Sequence, residues 1–422
     1  MRDAQTAAGP SSRPALGASK NFREGTHRLI SPEETLARVR PFMPIMGITR
    51  ISDVTGLDTL GIPVVMVCRP NARSLAVSQG KGLTLAAAKA SGLMESVEAY
   101  HAERIQLPLK LSTFNALRFT HPMADITSLP RVSLGAFHGD LRLLWVEGRD
   151  VARNAPVWLP YDLVHTDYSL PLAPGSGAFL ASSSGLASGN HPLEALSHGL
   201  CELVERDAGT LWHMKSEDHR RRTRVDLATV DDPACQDILG CYERADVAVF
   251  VWETTSDIGI PAYLCIIVDR DPNPHRAIAP MGGMGCHPSR AIALLRALTE
   301  AAQSRLTLIT GARDDVRFGM GHPSEDLEAA RQWLDRHGAA PAMRGFDEAP
   351  DFEGESFDED VAWELERLRQ AGLEQAVVVD LTRPEFAIPV VRVVVPGLEP
   401  LYDTPGYVPG ARANRCLRGT AP

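Results

Sequence analysis

Acidic side chains recur at helical spacing in three stretches of the sequence, each of which opens with a Gly-rich turn. In each stretch polar residues stand at positions i, i+4 and i+7, which fall within about 60° of one another on an α-helix. The surrounding residues are mostly Leu, Ala, Met and Val, so we expect each polar stripe to lie on an otherwise apolar helix. The stretches begin "SQGKG", "SSSG" and "GGMG", and their stripes are Ser91/Glu95/Glu98, His198/Glu202/Glu205 and Arg296/Glu300/Gln303.

The three stripes predict a magnesium site if they surround one cavity. Glutamates that lie close together repel one another, so either their pKa values rise or the cavity holds cations. A set of oxygen ligands with no paired His or Cys favours Mg²⁺. This ion is commonly coordinated by the phosphate groups of an enzyme's substrate as well as by the protein. We therefore expect a nucleoside triphosphate, although a lone ExxE on an Ala-rich helix is usually a solvated face. The predicted metal ligands are Glu95, Glu98, Glu202, Glu205 and Glu300, and Glu194 borders the second stripe.

Basic residues near the stripes could neutralise phosphate oxygens, together with backbone N–H groups at the Gly-rich helix entries. The candidates are Lys81, Arg206 and Arg296. His198 faces its stripe, but one histidine on a helix is more often structural. Arg305 points away from its stripe and either reaches the site from elsewhere or forms a salt bridge. None of the turns fits GxxxxGK[ST], and no GxGxxG opens a helix after a strand, which argues against P-loop and Rossmann sites.

The elements that position these stripes are predicted by capping and by strand-forming residues. "SPEETLARV" predicts the start of a helix, with Ser31 as N-cap and Glu34 completing a capping box. Residues 245–254 and 260–269 are rich in Val, Ile and aromatics, and the short "TSDIG" between them predicts a hairpin. Further strands are predicted at 61–70, 141–150, 375–381 and 388–397, and a helix at 360–372.

No interior segment has the composition of a linker, so we expect one α+β domain over residues 27–415. Residues 1–26 are rich in Ala, Gly, Ser, Pro and Arg, which predicts a disordered N-terminal tail. Residues 416–422 are expected to form a C-terminal tail.

Composition excludes several classes of protein. The chain has 422 residues and a formal net charge of −10, which disfavours a nucleic-acid-binding surface. Seven cysteines without a CxxC pair argue against a zinc knuckle or a disulfide framework and for a reducing compartment. No stretch has the apolar length of a signal peptide or a membrane span, so we expect a cytoplasmic protein without a membrane partner.

The sequence resembles the YcaO family of ATP-dependent enzymes that modify the peptide backbone. The resemblance rests on "GKG", on ExxE in "LMESVEAY", on "GLASGN" followed by "ELVERDA", and on "RALTEAAQSR". It extends from "GITRISDVTGLDTLGIPV" to "PGLEPLYDTPGYVPGARA", nearly the whole ordered chain. The resemblance implies an α+β fold in which β-sheets and helices surround a central Mg–ATP site.

Carried over position by position, the resemblance assigns roles to the residues of the stripes and turns. The five glutamates named above correspond to Mg²⁺ ligands or their close neighbours. Gln303 of the third stripe is also expected to contact the nucleotide. Lys81, Arg206 and Arg296 are expected to act in catalysis. The positions that correspond to ATP contacts are Lys81, Ser91, Asn190, Glu194, Arg206 and Arg296.

The product and the partners are open at this point. The chain resembles the branch that works with TfuA-type partner proteins, which favours a thioamide product over an azoline in a peptide or protein substrate. Two departures bear on this: many members have Asn in place of Ser184, and the chain ends "RCLRGTAP" without the Pro-rich tail common in azoline-forming members. A nucleotide-binding scaffold is the alternative of another class. The resemblance suggests a homodimer.

Overall fold

Antiparallel strands and helices share the chain in the computed structural model, which describes residues 18–132, 135, 137–172, 175–275, 277–313, 323–338 and 341–419. The strands are β1 (Arg50–Asp53), β2 (Val64–Cys68), β3 (Val77–Lys81), β4 (Leu109–Thr113), β5 (Arg142–Asp150), β6 (Ala155–Pro160), β7 (Leu186–Ser188), β8 (Val247–Glu253), β9 (Ala262–Asp269), β10 (Met281–Cys286), β11 (Val377–Asp380) and β12 (Val390–Val394). The helices are α1 (Pro32–Val39), α2 (Met43–Met46), α3 (Leu85–Ala102), α4 (Phe114–Leu117), α5 (Pro192–Met214), α6 (Glu217–Arg222), α7 (Pro233–Arg244), α8 (Arg290–Thr310), α9 (Pro323–His337), α10 (Phe357–Gln370) and α11 (Ala411–Leu417).

The described strands form three antiparallel sheets, and each sheet supplies one strand that runs directly into a stripe-bearing helix. The sheet orders are β1-β2-β3, β10-β9-β8 and β4-β5-β11-β12-β7, with β6 also paired to β5. In chain order, β3 precedes α3, β7 precedes α5, and β10 precedes α8. Three strand–turn–helix units therefore carry the three polar stripes.

The predicted elements are present, with small shifts at their ends. Each predicted strand contains an observed one, namely β2, β5, β8, β9, β11 or β12. The predicted hairpin is confirmed, since β8 pairs antiparallel with β9 from Val247 opposite Asp269 to Glu253 opposite Tyr263. The capping box at Ser31 is also confirmed. Helix α10 starts at Phe357, three residues earlier than predicted.

The apolar faces of the three stripe-bearing helices pack into three different cores. Leu93 and Val97 of α3 belong to the core around Trp145, which also contains residues of β5, β6 and β12. Helix α5 packs with α10 and the other face of β12, where Val393 is fully buried. The core of α8 contains Leu298 and residues of α7, β8 and β9. With each apolar face buried on its own side, the polar stripes are left to face one another.

Glycines allow two of these helices to approach their strands at backbone contact distance. A Cβ atom at Gly80 of β3 would lie 2.1 Å from the carbonyl oxygen of Ala88 in α3. A Cβ atom at Gly283 of β10 would lie 2.2 Å from the backbone nitrogen of Ala301 and 2.4 Å from the carbonyl oxygen of Ala297, both in α8. Real Cβ atoms do not tolerate such distances, so these glycines fix the depth at which the helices sit.

The predicted N-terminal boundary is wrong for residues 18–26. Lys20 is fully buried and pairs with Asp360 of α10 at 2.7 Å, and it also donates to the carbonyl oxygen of Gly354 at 2.8 Å. The segment is therefore fixed to α10 by a buried ion pair, and residues 1–17 lie outside the described chain. At the other end, α11 continues to Leu417, two residues beyond the predicted boundary at 415. The single-domain division itself stays a prediction.

None of the helices in the described part of the chain is both long enough and apolar enough to cross a membrane.

The glycine contacts predict a large difference between two neighbouring alanine substitutions in β10. Gly283→Ala should reduce the free energy of unfolding by about 3 kcal/mol, because the methyl group meets the backbone of α8. Gly282 points to the other face, where the nearest atom to an added Cβ is Cδ1 of Ile266 at 3.1 Å. Gly282→Ala should leave stability unchanged or raise it by up to about 1 kcal/mol. Urea unfolding of both variants checks this, and equal losses would contradict it.

Candidate functional site

One cavity of about 810 Å³ lies between α3, α5, α8 and the strand β3. All of the residues predicted for metal binding, nucleotide binding or catalysis line this cavity, although their individual roles stay predictions. The three stripes therefore do face one another, as the helical spacing predicted. The predicted residues in the wall are Lys81, Ser91, Glu95, Glu98, Asn190, Glu194, Glu202, Glu205, Arg206, Arg296, Glu300 and Gln303.

Helix α3 places two glutamates with raised pKa values in the cavity. Glu98 Oε1 accepts hydrogen bonds from the backbone N–H of Ser188 at 2.8 Å and from the Ser188 hydroxyl at 2.7 Å. Burial raises the pKa of Glu98 to about 8, and the charges of Glu95 and Glu202 add to this rise. Burial also raises the pKa of Glu95 to about 7, against the opposing charges of Arg313 and Lys81. Near neutral pH both carboxyls are therefore partly protonated unless a cation enters.

Helix α5 places Arg206 against two glutamates of the same helix. Glu202 lies one turn earlier, and Glu205 is the preceding residue. Arg206 Nη2 lies 3.5 Å from Glu202 Oε1, and Arg206 Nη1 lies 3.6 Å from Glu205 Oε1. The second oxygen of Glu205 is buried and accepts no hydrogen bond within the described ranges. Burial is the main cause of the raised pKa of Glu205, and the neighbouring Glu300 and Glu202 add to it. A buried carboxylate oxygen without a partner is the kind of group that a cation would satisfy.

The cation of β3 meets the glutamate of α8. Lys81 Nζ donates to Glu300 Oε2, and Glu300 Oε1 accepts from the backbone N–H of Met284 at 3.2 Å. Burial acts to raise the pKa of Glu300, but the charges of Lys81 and Arg206 outweigh it, and the pKa is lowered. Glu300 is therefore ionised while Glu95 and Glu98 still hold part of their protons.

The N-terminal segment supplies an arginine that sequence reasoning missed. Arg28 lines the cavity, and its Nε lies 3.6 Å from Glu194 Oε1, while Glu194 Oε2 accepts from the backbone N–H of Leu29 at 2.9 Å. Asn190 is buried beside this segment and donates to the Thr35 hydroxyl at 2.9 Å. The only signal in the sequence was a basic residue immediately after the tail that composition marked as disordered.

The structure places His198 in the cavity wall and Arg305 in a pair of salt bridges. Arg296 Nη2 lies 3.2 Å from Nε2 of His198, which also lines the cavity. Burial and then the charge of Arg296 hold the pKa of His198 well below its usual value, so the imidazole is neutral and can accept from Arg296. Arg305 points away as predicted and forms salt bridges with Asp58 at 2.9 Å and Asp269 at 2.8 Å.

The donor set fits magnesium that is shared with a phosphate ligand. The acidic groups of the cavity offer only oxygen atoms, which suits a hard cation. Across the described residues, no three Asp, Glu, His or Cys side chains are grouped so that they could hold a metal ion without other ligands. Pairs of carboxylates are present instead, and Mg²⁺ typically takes one or two carboxylates, several waters and substrate phosphates. The raised pKa values and the unsatisfied Glu205 oxygen support the same fit.

Comparison with known proteins gives consistent matches over most of the chain. Residues 79–399 match the family model described as YcaO cyclodehydratase, ATP- and Mg²⁺-binding. An uncharacterized protein in the tfuA 3′ region of Rhizobium leguminosarum bv. trifolii is 37% identical over 423 residues, which covers 99% of this chain and 98% of that protein.

Solved structures share the fold. A heterocyclase in complex with substrate and cofactor superposes with a TM-score of 0.75 at 25% identity, covering 96% of this chain and 56% of that one. YcaO from Methanopyrus kandleri bound with AMPPCP and Mg²⁺ gives a TM-score of 0.72 at 23% identity, covering 91% and 95% of the two chains, which shows a common fold. The α+β fold implied by the resemblance is thus confirmed, and the chain belongs to the YcaO family of ATP- and Mg²⁺-binding cyclodehydratases.

Proposed function

We propose that the protein uses ATP and Mg²⁺ to activate a backbone amide of a peptide or protein and that the product is a thioamide. One observation carries the proposal: carboxylates from three helices surround a single cavity that also contains Lys81, Arg206 and Arg296. A cavity of this charge pattern suits a polyanion bridged by divalent cations. Magnesium, when bound there, would neutralise negative charge on the phosphate oxygens.

The proposed chemistry converts a carbonyl oxygen into a leaving group. Hydrosulfide adds to the amide carbon, and the C=O π electrons move to oxygen, which gives a tetrahedral alkoxide. The alkoxide oxygen attacks the γ-phosphorus of ATP and displaces ADP. The C–O bond then breaks with loss of phosphate, which also takes the S–H proton, and a C=S bond forms. One amide, hydrosulfide and ATP thus give one thioamide, ADP and phosphate.

The residues of the chain would position charge around this sequence of steps. We assign phosphate contacts to Lys81, Arg206 and Arg296, since guanidinium and ammonium groups stabilise charge that develops on a transferred phosphoryl group. We assign the metal ions to the glutamates of the three stripes. Further ATP contacts are proposed for Ser91, Asn190, Glu194 and Gln303.

Two observations favour a thioamide over an azoline. The relative with 37% identity lies in a tfuA region, which supports a TfuA-like partner protein that would handle the sulfur source. In addition, no described residue after Arg313 lines the cavity, and the C-terminal segment packs instead against α5 through Arg412 and Asp207. The described C-terminal residues, up to position 419, therefore offer no group to the cavity in place of the Pro-rich tail of azoline-forming members.

Partners and compartment are part of the same proposal. A homodimer is proposed by resemblance alone. The seven cysteines form no disulfide, which supports a reducing compartment such as the cytoplasm. The peptide substrate would belong to natural-product biosynthesis or to protein modification.

The metal-bridged nucleotide site predicts a magnesium-dependent thermal shift. ATP at 100 to 1,000 times its dissociation constant should stabilise the wild type by about 3–4 kcal/mol when Mg²⁺ is present. Without Mg²⁺ the gain should be small, and in Glu205→Gln it should be lost, because a metal ligand is removed. Glu217→Gln on α6, an exposed position, is the control and should behave as wild type. An equal shift with and without Mg²⁺ would contradict the metal bridge.

The raised pKa values predict that Glu95 and Glu98 destabilise the protein without ligands increasingly as the pH rises. Unfolded glutamates ionise at about pH 4.3, whereas Glu95 and Glu98 ionise at about 7 and about 8 in the folded state. Between these values the two carboxyls hold more protons in the folded state, so their contribution to stability decreases with rising pH. From pH 5.5 to 8.5 these pKa values correspond to about 5 kcal/mol of stability lost by the wild type relative to the Glu95→Gln/Glu98→Gln variant. Buried histidines such as His198, whose pKa is lowered, act in the opposite direction in both proteins, so the comparison removes their effect. Urea midpoints at both pH values measure it, and parallel curves would contradict it.

Mass spectrometry of the product distinguishes the competing functions. With ATP, Mg²⁺, sulfide, a TfuA-like partner and a candidate peptide from a neighbouring gene, we expect oxygen to be replaced by sulfur. Lys81→Met should reduce the rate by about two orders of magnitude or more, because a charge contact in the transition state is removed. Loss of water without sulfur uptake would indicate an azoline, and ATP binding without any change of mass would indicate a scaffold.

A further inference from the structure

Arg392 is a buried arginine without a carboxylate partner. It is only 2% exposed, and arginines buried to this degree are normally paired. Arg69, also 2% exposed, forms a bidentate salt bridge with Glu103. Arg392 instead donates Nη2 to the carbonyl oxygen of Ser182 at 2.7 Å, and its Nε and Nη1 find no acceptor in the described part of the chain.

The guanidinium lies behind one end of the cavity wall. On paired strands the side chains of opposite residues point to the same face of the sheet. Arg392 of β12 is opposite Leu186 of β7, and Leu186 lines the cavity. Glu202, which also lines the cavity, is the carboxylate whose charge acts on Arg392, and the neutral phenol of Tyr168 lies at the same end of the cavity. An anion beside Arg392 would therefore stand next to the proposed metal ligand Glu202.

The isolated charge is costly for the fold. Burial lowers the pKa of Arg392 to about 10, which still leaves the group charged at neutral pH. A buried charge destabilises the folded state unless it is paired with a counter-ion. The remaining donors, Nε and Nη1, are free to receive such a counter-ion.

We propose that Arg392 binds a small monovalent anion at this end of the cavity and that this anion is the hydrosulfide consumed in the reaction; this identity rests on the function proposed above. Nε and Nη1 have almost no accessible surface, so the anion that reaches them must be small, and a triphosphate or a peptide carboxylate is too large. Tyr168 lines the cavity near Arg392 and is 42% exposed, and we expect it to move when the anion enters. The weakly hydrated guanidinium also suits a soft, weakly hydrated anion such as hydrosulfide better than an ammonium would. From this position the sulfur lone pair would form the C–S bond while the C=O π pair moves to oxygen.

Two methionine substitutions test the pairing of the guanidinium. Arg69→Met should lower the unfolding midpoint, because Glu103 is left buried and unpaired. Arg392→Met should leave the midpoint unchanged or raise it, because an unpaired charge is removed. If Arg392→Met lowers the midpoint as much as Arg69→Met does, Arg392 is a satisfied structural residue and the proposal is overturned.

Anion binding is tested with sodium hydrosulfide under anaerobic conditions and with sodium bromide, both against sodium acetate at the same ionic strength. The wild type should gain thermal stability in hydrosulfide and bromide, and Arg392→Met should not, while keeping its full response to ATP with Mg²⁺. A crystal soaked in bromide should show an anomalous peak within hydrogen-bond distance of Nε or Nη1. A peak only elsewhere, or loss of the ATP response in Arg392→Met, would overturn the proposal.

Kinetics tests the identity of the anion. In thioamide formation, Arg392→Lys should raise KM for sulfide at least tenfold while KM for ATP stays the same, which a merely structural role would not produce. Bromide binding at Arg392 in a protein that forms no thioamide would overturn the hydrosulfide assignment and count against the proposed function, but not against the anion site.

Discussion

The mutual repulsion of glutamates in one cavity is the constraint on which the rest of the structure depends. Six carboxylates would separate if their helices were free to move, namely Glu95, Glu98, Glu194, Glu202, Glu205 and Glu300. Two devices prevent this. The apolar face of each helix is buried in its own core, and glycines in β3 and β10 allow α3 and α8 to contact their strands through the backbone. Apolar packing outside the cavity therefore offsets the unfavourable repulsion between the crowded carboxylates.

Much of this could be predicted from the sequence because helical periodicity is a local property. The spacing i, i+4, i+7 identifies one face of a helix without any knowledge of the fold. When the rest of each helix is apolar and buried, three such polar faces are most simply accommodated around one shared cavity. The same holds for the β8–β9 hairpin, whose turn and strands are neighbours in sequence. Family resemblance added Asn190, which no periodicity singles out.

The parts that were missed depend on contacts between distant residues. Lys20 and Asp360 are 340 residues apart, and the composition around Lys20 resembles that of a disordered tail. Asp360 orders that segment and thereby places Arg28 in the cavity. No local sequence pattern reveals this pairing. Arg392 was visible inside the buried strand "IPVVRVVVPG", but only the assembled sheets show that its guanidinium meets a carbonyl oxygen and no carboxylate.

The charges in the cavity also imply an order of events. Lys81 donates to Glu300, and Arg206 lies against Glu202 and Glu205, so these cations are already engaged by the glutamates to which we assign metal ions. Neither cation can turn to a phosphate without leaving a buried carboxylate uncompensated, which is unfavourable in a medium of low dielectric constant. A divalent ion held by these carboxylates would remove this penalty and would leave the cation available to a phosphate. Metal and nucleotide should therefore bind interdependently, because a bound metal would leave Lys81 and Arg206 available to the phosphates, and the phosphates would supply ligands that pairs of carboxylates lack.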